Sequence, residues 1–205
     1  MSGQLRVGVL ASGGGTNLQA LLDGVHGFEA RIVAVASDKA DAGALERARR
    51  AGVPTSVFPR TAFPDREARD AAIAAWLEAQ GVELVVLAGY MAILTEGFIG
   101  RFRDRIVNVH PSLLPSFPGL AAVQQALDHG ARVIGVTVHF VDEGVDTGAI
   151  ILQRAIDLPP DADADAALDA LRPIEHELLP EAVRLIAAGR LQRDPANPRR
   201  VLVGD

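Results

Sequence analysis

The segment N-V-H-P-S-L-L-P-S-F-P-G, Asn108 to Gly119, closes the apolar run R-I-V-N-V-H with an amide and an imidazole two positions apart. Side chains two apart on a strand share a face, so Asn108 and His110 project together. An imidazole exchanges a proton near neutral pH. A carboxamide donates to a developing oxyanion without itself titrating. Asp146, in the glycine-flanked loop E-G-V-D-T-G, is the natural third member, because a carboxylate beside an imidazole orients it and favours its charged form. Read singly, His110 is a hydrogen-bonded structural histidine and Asp146 a solvent-exposed turn aspartate. The place of His110 at a strand end, with Asn108 on the same face and Pro111 next, favours the functional reading of the histidine, while for Asp146 the two readings stand level. Ser112 raises serine hydrolysis as a rival, but no G-x-S-x-G elbow surrounds it. Prolines on both sides, Pro111 and Pro115, make it a turn hydroxyl.

A second constellation is S-G-G-G-T-N, residues 12–17. Glycines let a backbone approach an anion, and the free amides of a helix start point at it. Gly13, Gly14, Gly15, Thr16 and Asn17 therefore suit a small phosphate. The alternative is a tight turn capped by Thr16 or Asn17. A dinucleotide fingerprint would need a third glycine where Leu18 stands, although Asp38 resembles its ribose-binding acid. A Walker loop would need Gly-Lys-Ser/Thr, which is absent. The other histidines, His26, His129, His139 and His176, complete no metal-ligand spacing, so no metal is expected.

These residues need a frame. Apolar runs at 5–10, 31–36, 55–58, 83–88 and 105–110 alternate with helical segments at 17–23, 42–51, 66–80 and 121–129. Ala72, Ile73, Trp76 and Leu77 recur at helical spacing. Continuous apolar strands separated by helices indicate an α/β fold, a mostly parallel twisted sheet with helices on both faces. Runs 132–141 and 149–156 are joined by too few residues for a crossover helix, so they pair antiparallel. A long helix is expected over 165–188, with Pro173 and Pro180 bending it or marking its start. The tail reads as a turn plus one short strand. With no internal repeat or linker, residues 1–205 read as one domain. Its phosphate half spans about 1–100, its catalytic half about 101–190, and a short tail 191–205.

Bulk composition narrows the class. The net charge of −6 argues against a nucleic-acid partner, since polymer phosphate binding wants a basic surface. The chain has no cysteine, so disulfides and thiolate chemistry are excluded. No signal peptide or bilayer-spanning run is present, and no membrane association is expected. A cytoplasmic location fits.

With these pieces in order, the chain resembles the phosphoribosylglycinamide formyltransferases, also called glycinamide ribonucleotide transformylases, from about Arg6 to Leu191. The carriers are V-L-A-S-G-G-G-T-N-L-Q-A, S-D-K-A-D-A-G-A-L-E-R-A, V-V-L-A-G-Y-M-A-I-L, N-V-H-P-S-L-L-P-S-F-P-G, V-T-V-H-F-V-D-E-G-V-D-T-G and I-E-H-E-L-L-P. The resemblance implies a Rossmann-like formyltransferase fold. It implies formyl transfer from 10-formyltetrahydrofolate, as co-substrate, to the amine of 5-phosphoribosylglycinamide, with no metal. On this resemblance Asn108 and protonated His110 stabilise the tetrahedral oxyanion and Asp146 tunes His110. Gly15, Thr16 and Asn17 would hold the phosphate, and Glu175 the ribose. The folate would lie along Met91, Ala92, Ile93 and Leu94, and along Val141, Asp142, Glu143, Gly144, Val145 and Asp146, with Asn108 facing it and Arg66 near the folate-side pocket. The chain departs from the family at Ala92, usually arginine, and at Ala121, commonly histidine near that position. A monomer or homodimer is expected.

Rivals remain open at this level. A 10-formyltetrahydrofolate hydrolase shares the Asn–His–Asp chemistry but usually carries an N-terminal regulatory domain, whereas the first strand here begins near residue 5. A methionyl-transfer-RNA formyltransferase would carry a C-terminal domain and a basic surface. A non-catalytic nucleotide- or folate-binding module, or an NAD-binding domain using Asp38, belongs to another class, and Leu18 counts against the latter.

Overall fold

The computed structural model describes residues 3–159 and 161–204. Strands β1 (Leu5–Leu10), β2 (Ala30–Ser37), β3 (Thr55–Val57), β4 (Leu84–Leu87) and β5 (Ile106–His110) run parallel in the order β3-β2-β1-β4-β5. The helices between them are α1 (Thr16–Gly24), α2 (Gly43–Arg50), α3 (Arg66–Ala79) and α4 (Glu96–Arg101). After α5 (Ala122–Asp128), strands β6 (Val133–Phe140) and β7 (Ile150–Asp157) continue the sheet antiparallel, as their short connection requires. Helix α6 (Ala164–Ala187) and the hairpin β8 (Leu191–Asp194)–β9 (Asn197–Val203) end the described chain.

The alternation of side chains along the strands divides the apolar core between the two sheet faces. Val7, Val9, Val107 and Val109 pack with α1, α2, α5 and α6 through Leu18, Leu21, Ala44, Val123 and Leu179. Leu10, Val85, Leu87 and Ile106 pack instead with α3 and α4 through Ile73, Leu77, Phe98 and Phe102. Burying a leucine, isoleucine or phenylalanine fully contributes about 1.5–3 kcal/mol, so these two layers hold the strand ends rigidly in place. On β5 the face that carries Ile106 is continued by Asn108 and His110.

Strand order reverses direction between β1 and β4, and in open α/β sheets that is where a crevice forms beyond the strand ends. The loop after β1 carries the glycines, and the loop after β4 carries Met91–Leu94. They are tied across the crevice: the Ser12 amide donates to the Gly89 carbonyl at 3.0 Å, and the Met91 amide donates to Ser12 Oγ at 3.0 Å. Ser12 Oγ in turn donates to Asp38 Oδ1 at 2.6 Å. Asp38 therefore serves as an anchor for this crossing.

Three expectations change. Helix α4 lies in a stretch for which the sequence pattern predicts no element; Thr95 caps it, accepting from the Phe98 amide at 3.3 Å, and Asp70 Oδ2 accepts from the Thr95 amide at 2.8 Å. The tail forms two strands, because Asp194 and Asn197 close the turn by accepting from the Ala196 and Arg199 amides. Neither Pro173 nor Pro180 starts α6, which begins at Ala164 behind an Asp163 cap that accepts from the Ala166 amide.

Candidate active site

Asn108, His110, Thr137 and His139 form a two-by-two polar patch on one face of the β5–β6 ladder. Asn108 stands opposite His139 and His110 opposite Thr137, so all four point the same way. Val107, Val109, Val136 and Val138 fill the other face. His110, Thr137 and His139 are buried and Asn108 is half-buried. Thr137 and His139 lie outside the sequence-predicted site residues, although V-T-V-H-F alternates apolar and polar residues as a strand with one functional face would.

Asp146 closes over this patch from the loop between β6 and β7, with φ at 53°. Its Oδ2 lies 3.4 Å from His110 Nδ1, and its Oδ1 lies 3.5 Å from His139 Nε2. Asn108 Nδ2 donates to Oδ1 at 3.4 Å, and the Gly119 amide donates to Oδ2 at 2.7 Å. Burial pushes this carboxyl up, yet the His139 hydrogen bond, the Gly119 amide and the charge of His110 together hold it below the ordinary carboxylate value. Asp146 is therefore ionised across the neutral range.

The backbone assigns the imidazole protons. His110 Nε2 faces the Phe117 carbonyl at 2.9 Å, and His139 Nδ1 faces the Phe140 carbonyl at 2.8 Å. A carbonyl only accepts, so both nitrogens carry hydrogen. His110 then has oxygen acceptors at both nitrogens, an arrangement fully satisfied by the imidazolium. His139 Nε2 lies 3.3 Å from Asn108 Nδ2 and 3.5 Å from Asp146 Oδ1.

The proline-rich turn after His110 is stapled from below. Thr137 Oγ1 donates to the Ser112 carbonyl at 2.7 Å and accepts from the Leu114 amide at 3.1 Å. Gln153 Nε2 on β7 donates to both the Leu114 carbonyl and Thr137 Oγ1 at 2.9 Å. Ser112 Oγ donates to the Ser116 carbonyl at 2.6 Å, which makes it a turn hydroxyl. Positive φ values at Phe117, Gly119 and Ala121, 54°, 81° and 56°, fold the next segment over the site. For Phe117 and Ala121 this is the left-handed region that L side chains adopt at a cost.

At the glycine loop the structure corrects the simple capping alternative. Gly15, with φ at 76°, is the N-cap of α1, and no side chain caps the helix. Asn17 instead donates through Nδ2 to Glu175 Oε2 on α6 at 2.9 Å. This bond brings Glu175 of α6 to the first turn of α1, beside Gly15 and Thr16. Burial chiefly raises the Glu175 carboxyl above its ordinary value, against the Asn17 hydrogen bond and Arg172, which lower it. A groove of about 560 Å³ opens beside the loop, lined by Thr16, Gln19, Arg47, His176 and Arg184 among others. Among the described residues Asn17 Oδ1, His176 Nε2 and the Tyr90 hydroxyl are buried without a hydrogen-bond partner. Burial also pushes the Tyr90 phenol up to about 12.

On the other side of the crevice Met91 and Ile93 are exposed while Ala92 and Leu94 are buried. Val145 and Leu120 add further exposed apolar surface. In the loop after β6, Asp142 Oδ1 accepts from the Gly144 amide and from Thr147 Oγ1, at 3.1 and 2.6 Å. Glu143 accepts from Arg103 Nη2 at 2.9 Å, and Val141 donates its amide to the Ile106 carbonyl. Arg66 opens α3 on exposed surface, and no hydrogen bond among the described residues links it to the rest of the site. Among the described residues no group of three or more His, Asp or Glu side chains is placed to hold a metal ion. No described helix is long and apolar enough to cross a membrane.

Sheet order, crevice and polar patch together define a Rossmann-like α/β fold with a site at the carboxyl ends of its strands. The chain belongs to the formyl transferase family, whose model matches residues 5–183. It is 42% identical over 189 residues to the phosphoribosylglycinamide formyltransferase of Haemophilus influenzae, covering 91% of this chain and 89% of that protein. It is 46% identical over 192 residues to the trifunctional purine biosynthetic protein adenosine-3 of Drosophila pseudoobscura pseudoobscura. That match covers 92% of this chain and spans only 14% of the length of the fly protein. The crystal structure of glycinamide ribonucleotide transformylase 1 from Symbiobacterium toebii superposes with a TM-score of 0.96 at 49% identity, covering 100% of this chain and 96% of that one.

Proposed function

We propose that the chain transfers the formyl group of 10-formyltetrahydrofolate to the amine of 5-phosphoribosylglycinamide, giving the formylated amide and tetrahydrofolate in purine biosynthesis. The observation that carries this reading is the meeting of Asn108, His110 and Asp146 at the end of β5. Holding an amine against a carbonyl is largely an orientation problem, and the rigid strand end supplies that orientation. As the new N–C bond forms, negative charge gathers on the formyl oxygen. The carboxamide N–H of Asn108 and the positive charge of His110 stabilise it. Asp146 orients the His110 imidazole and assists the proton that leaves the attacking nitrogen to reach the departing folate nitrogen as its C–N bond breaks. No side chain forms a covalent bond to the formyl group.

The nucleotide's phosphate is placed on the uncapped amides of Gly15, Thr16 and Asn17, and its ribose hydroxyls on Glu175. The bare start of α1 fits an oxygen-rich anion, and the buried, partnerless Asn17 Oδ1, which can only accept, fits a ligand O–H such as a ribose hydroxyl. The folate is placed along Met91–Leu94 and residues 141–146. Exposed Met91, Ile93 and Val145 offer apolar contact, and the intervening backbone offers donors and acceptors. In this arrangement Ala92 is buried, so an arginine is not required there for the backbone to grip. We read residues 1–205 as one cytoplasmic transferase unit, monomeric or homodimeric.

The test mixes purified protein with 10-formyltetrahydrofolate, with and without 5-phosphoribosylglycinamide, and follows the folate product. Turnover that requires the nucleotide is expected. Folate release without nucleotide would replace the transferase by a hydrolase. Binding of either ligand without turnover would leave a binding module.

A further inference from the structure

The glycine loop is held from behind by α2. The Ala44 amide donates to the Gly13 carbonyl at 3.1 Å, and Arg47 Nε donates to the Gly14 carbonyl at 2.8 Å. Arg47 Nη1 also donates to Gln19 Oε1 on α1 at 3.1 Å. One guanidinium therefore bridges the loop and the helix that follows it. The packing is tight: a Cβ on Gly15 would fall 2.6 Å from Ala44 Cα, and one on Gly43 would fall 3.1 Å from the Gly14 oxygen.

Carbonyl direction matters for an anion site. A loop of three glycines has wide backbone freedom, and any carbonyl rotated toward a phosphate would repel it. Two consecutive carbonyls, Gly13 and Gly14, are drawn onto α2, so the amides that follow remain at the start of α1. Arg47 forms no salt bridge among the described residues, and both its hydrogen-bond acceptors are neutral. Its charge reaches the groove: burial first, then the charges of Arg172 and Arg47, push the His176 imidazole down.

We infer that Arg47 is a positioning residue for anion binding at the glycine loop, acting by fixing the Gly14 carbonyl and α1 in one arrangement. The inference rests on the reading that this loop holds the nucleotide's phosphate. Arg47 meets the requirement through its forked geometry, which a lysine cannot reproduce because a single ammonium does not span both acceptors in the same way.

The experiment measures inorganic phosphate binding by calorimetry to wild type, Arg47→Ala and Arg47→Lys, with thermal melts confirming that each is folded. Steady-state kinetics use the nucleotide and its 5′-dephosphorylated analogue. Arg47→Ala is expected to weaken inorganic phosphate binding about tenfold, in line with the loss of hydrogen bonds from a charged group. Arg47→Lys should lose most of the same affinity despite keeping its charge. KM for the nucleotide should rise, while KM for the folate and turnover of the dephosphorylated analogue stay within about twofold of wild type. Wild-type affinity in Arg47→Lys would overturn positioning in favour of charge alone. Unchanged binding in Arg47→Ala, or equal losses with both substrates, would overturn the inference while leaving the transferase reading intact. If wild type binds no inorganic phosphate, the loop assignment and the inference fall together, whatever the transfer assay shows.

Discussion

Asn108 on β5 and His139 on β6 face each other across the antiparallel ladder, with Nδ2 and Nε2 3.3 Å apart. Both reach the same oxygen of Asp146, at 3.4 and 3.5 Å. His139 is thus the fixed post between the amide and the carboxylate, and it is itself anchored by the Phe140 carbonyl. On the proposed mechanism, His139→Ala lets Asn108 and Asp146 shift. A displacement of about 1 Å costs roughly 10²-fold in rate. We expect kcat to fall on that order with KM for the nucleotide nearly unchanged. A wild-type kcat would show that Gly119 and His110 suffice to place the carboxylate.

Replacing His110 or Asp146 removes a group assigned to the reacting atoms. His110→Ala or Asp146→Asn should lower kcat by about 10²–10⁴-fold, the range for acid–base and electrostatic contributions. Near-wild-type rates in both variants would sink the mechanism.

Asp146 also links stability to pH. Its carboxyl titrates below the ordinary value of 3.8, so the folded state binds the proton less readily than the unfolded chain. The stabilisation is fully present above that ordinary value and is lost as pH falls through the lower folded value. Denaturant titrations of wild type and Asp146→Asn from pH 7 downward should show the wild-type advantage shrinking only below about pH 4. A difference that stays constant to the acid limit would mean the charge is not what stabilises.

Glu175 behaves in the opposite sense. Burial raises its carboxyl above the ordinary 4.5, so holding it ionised at neutral pH opposes folding. Glu175→Gln keeps an oxygen for Asn17 and removes the buried charge. The variant should melt higher than wild type at pH 7, and the gain should vanish as pH falls below 4.5, where both side chains are neutral. On the proposed function it should also raise KM for the nucleotide, a trade of affinity for stability. A lower melting temperature at pH 7 would contradict the burial argument.

The parts of this architecture that follow from short-range pattern could be read before the structure. Apolar runs around Val7, Val35, Val85 and Val107 are parallel strands because both of their faces are covered, and the brief link after Phe140 forces β6 and β7 antiparallel. Helix α4 escaped because six residues containing Gly97 and Gly100 show no periodicity; Asp70, a distant residue on α3, holds its cap. Strand β8, L-Q-R-D, has no apolar run and depends on remote support. Arg193 donates to Asp104 at 2.6 Å and stacks on Phe140 at 5.1 Å. Asn108, His110 and Asp146 were readable by type and spacing. His139 was readable only in alternation with Thr137, and the carbonyls of Phe117 and Gly14 could not be read at all. A carbonyl's direction depends on the whole fold, not on the residue that bears it.

Thr137 offers the clearest test of how the proline turn is aimed. Its hydroxyl is fully buried and serves three partners: the Ser112 carbonyl, the Leu114 amide and Gln153 Nε2. Thr137→Val keeps the shape and removes every one of these bonds. Gln153 can still donate to the Leu114 carbonyl, but the Leu114 amide and the Ser112 carbonyl are left buried without Thr137. Each such group costs about 1–3 kcal/mol, so the two together give an expected loss of about 2–6 kcal/mol from denaturant midpoints at constant m-value. Because the turn begins at Pro111, directly after His110, kcat should fall as well. Thr137→Ser retains the hydroxyl and should recover most of the stability and rate. If the serine variant is as impaired as the valine one, the methyl packing at this position, not the hydroxyl staple, aims the turn.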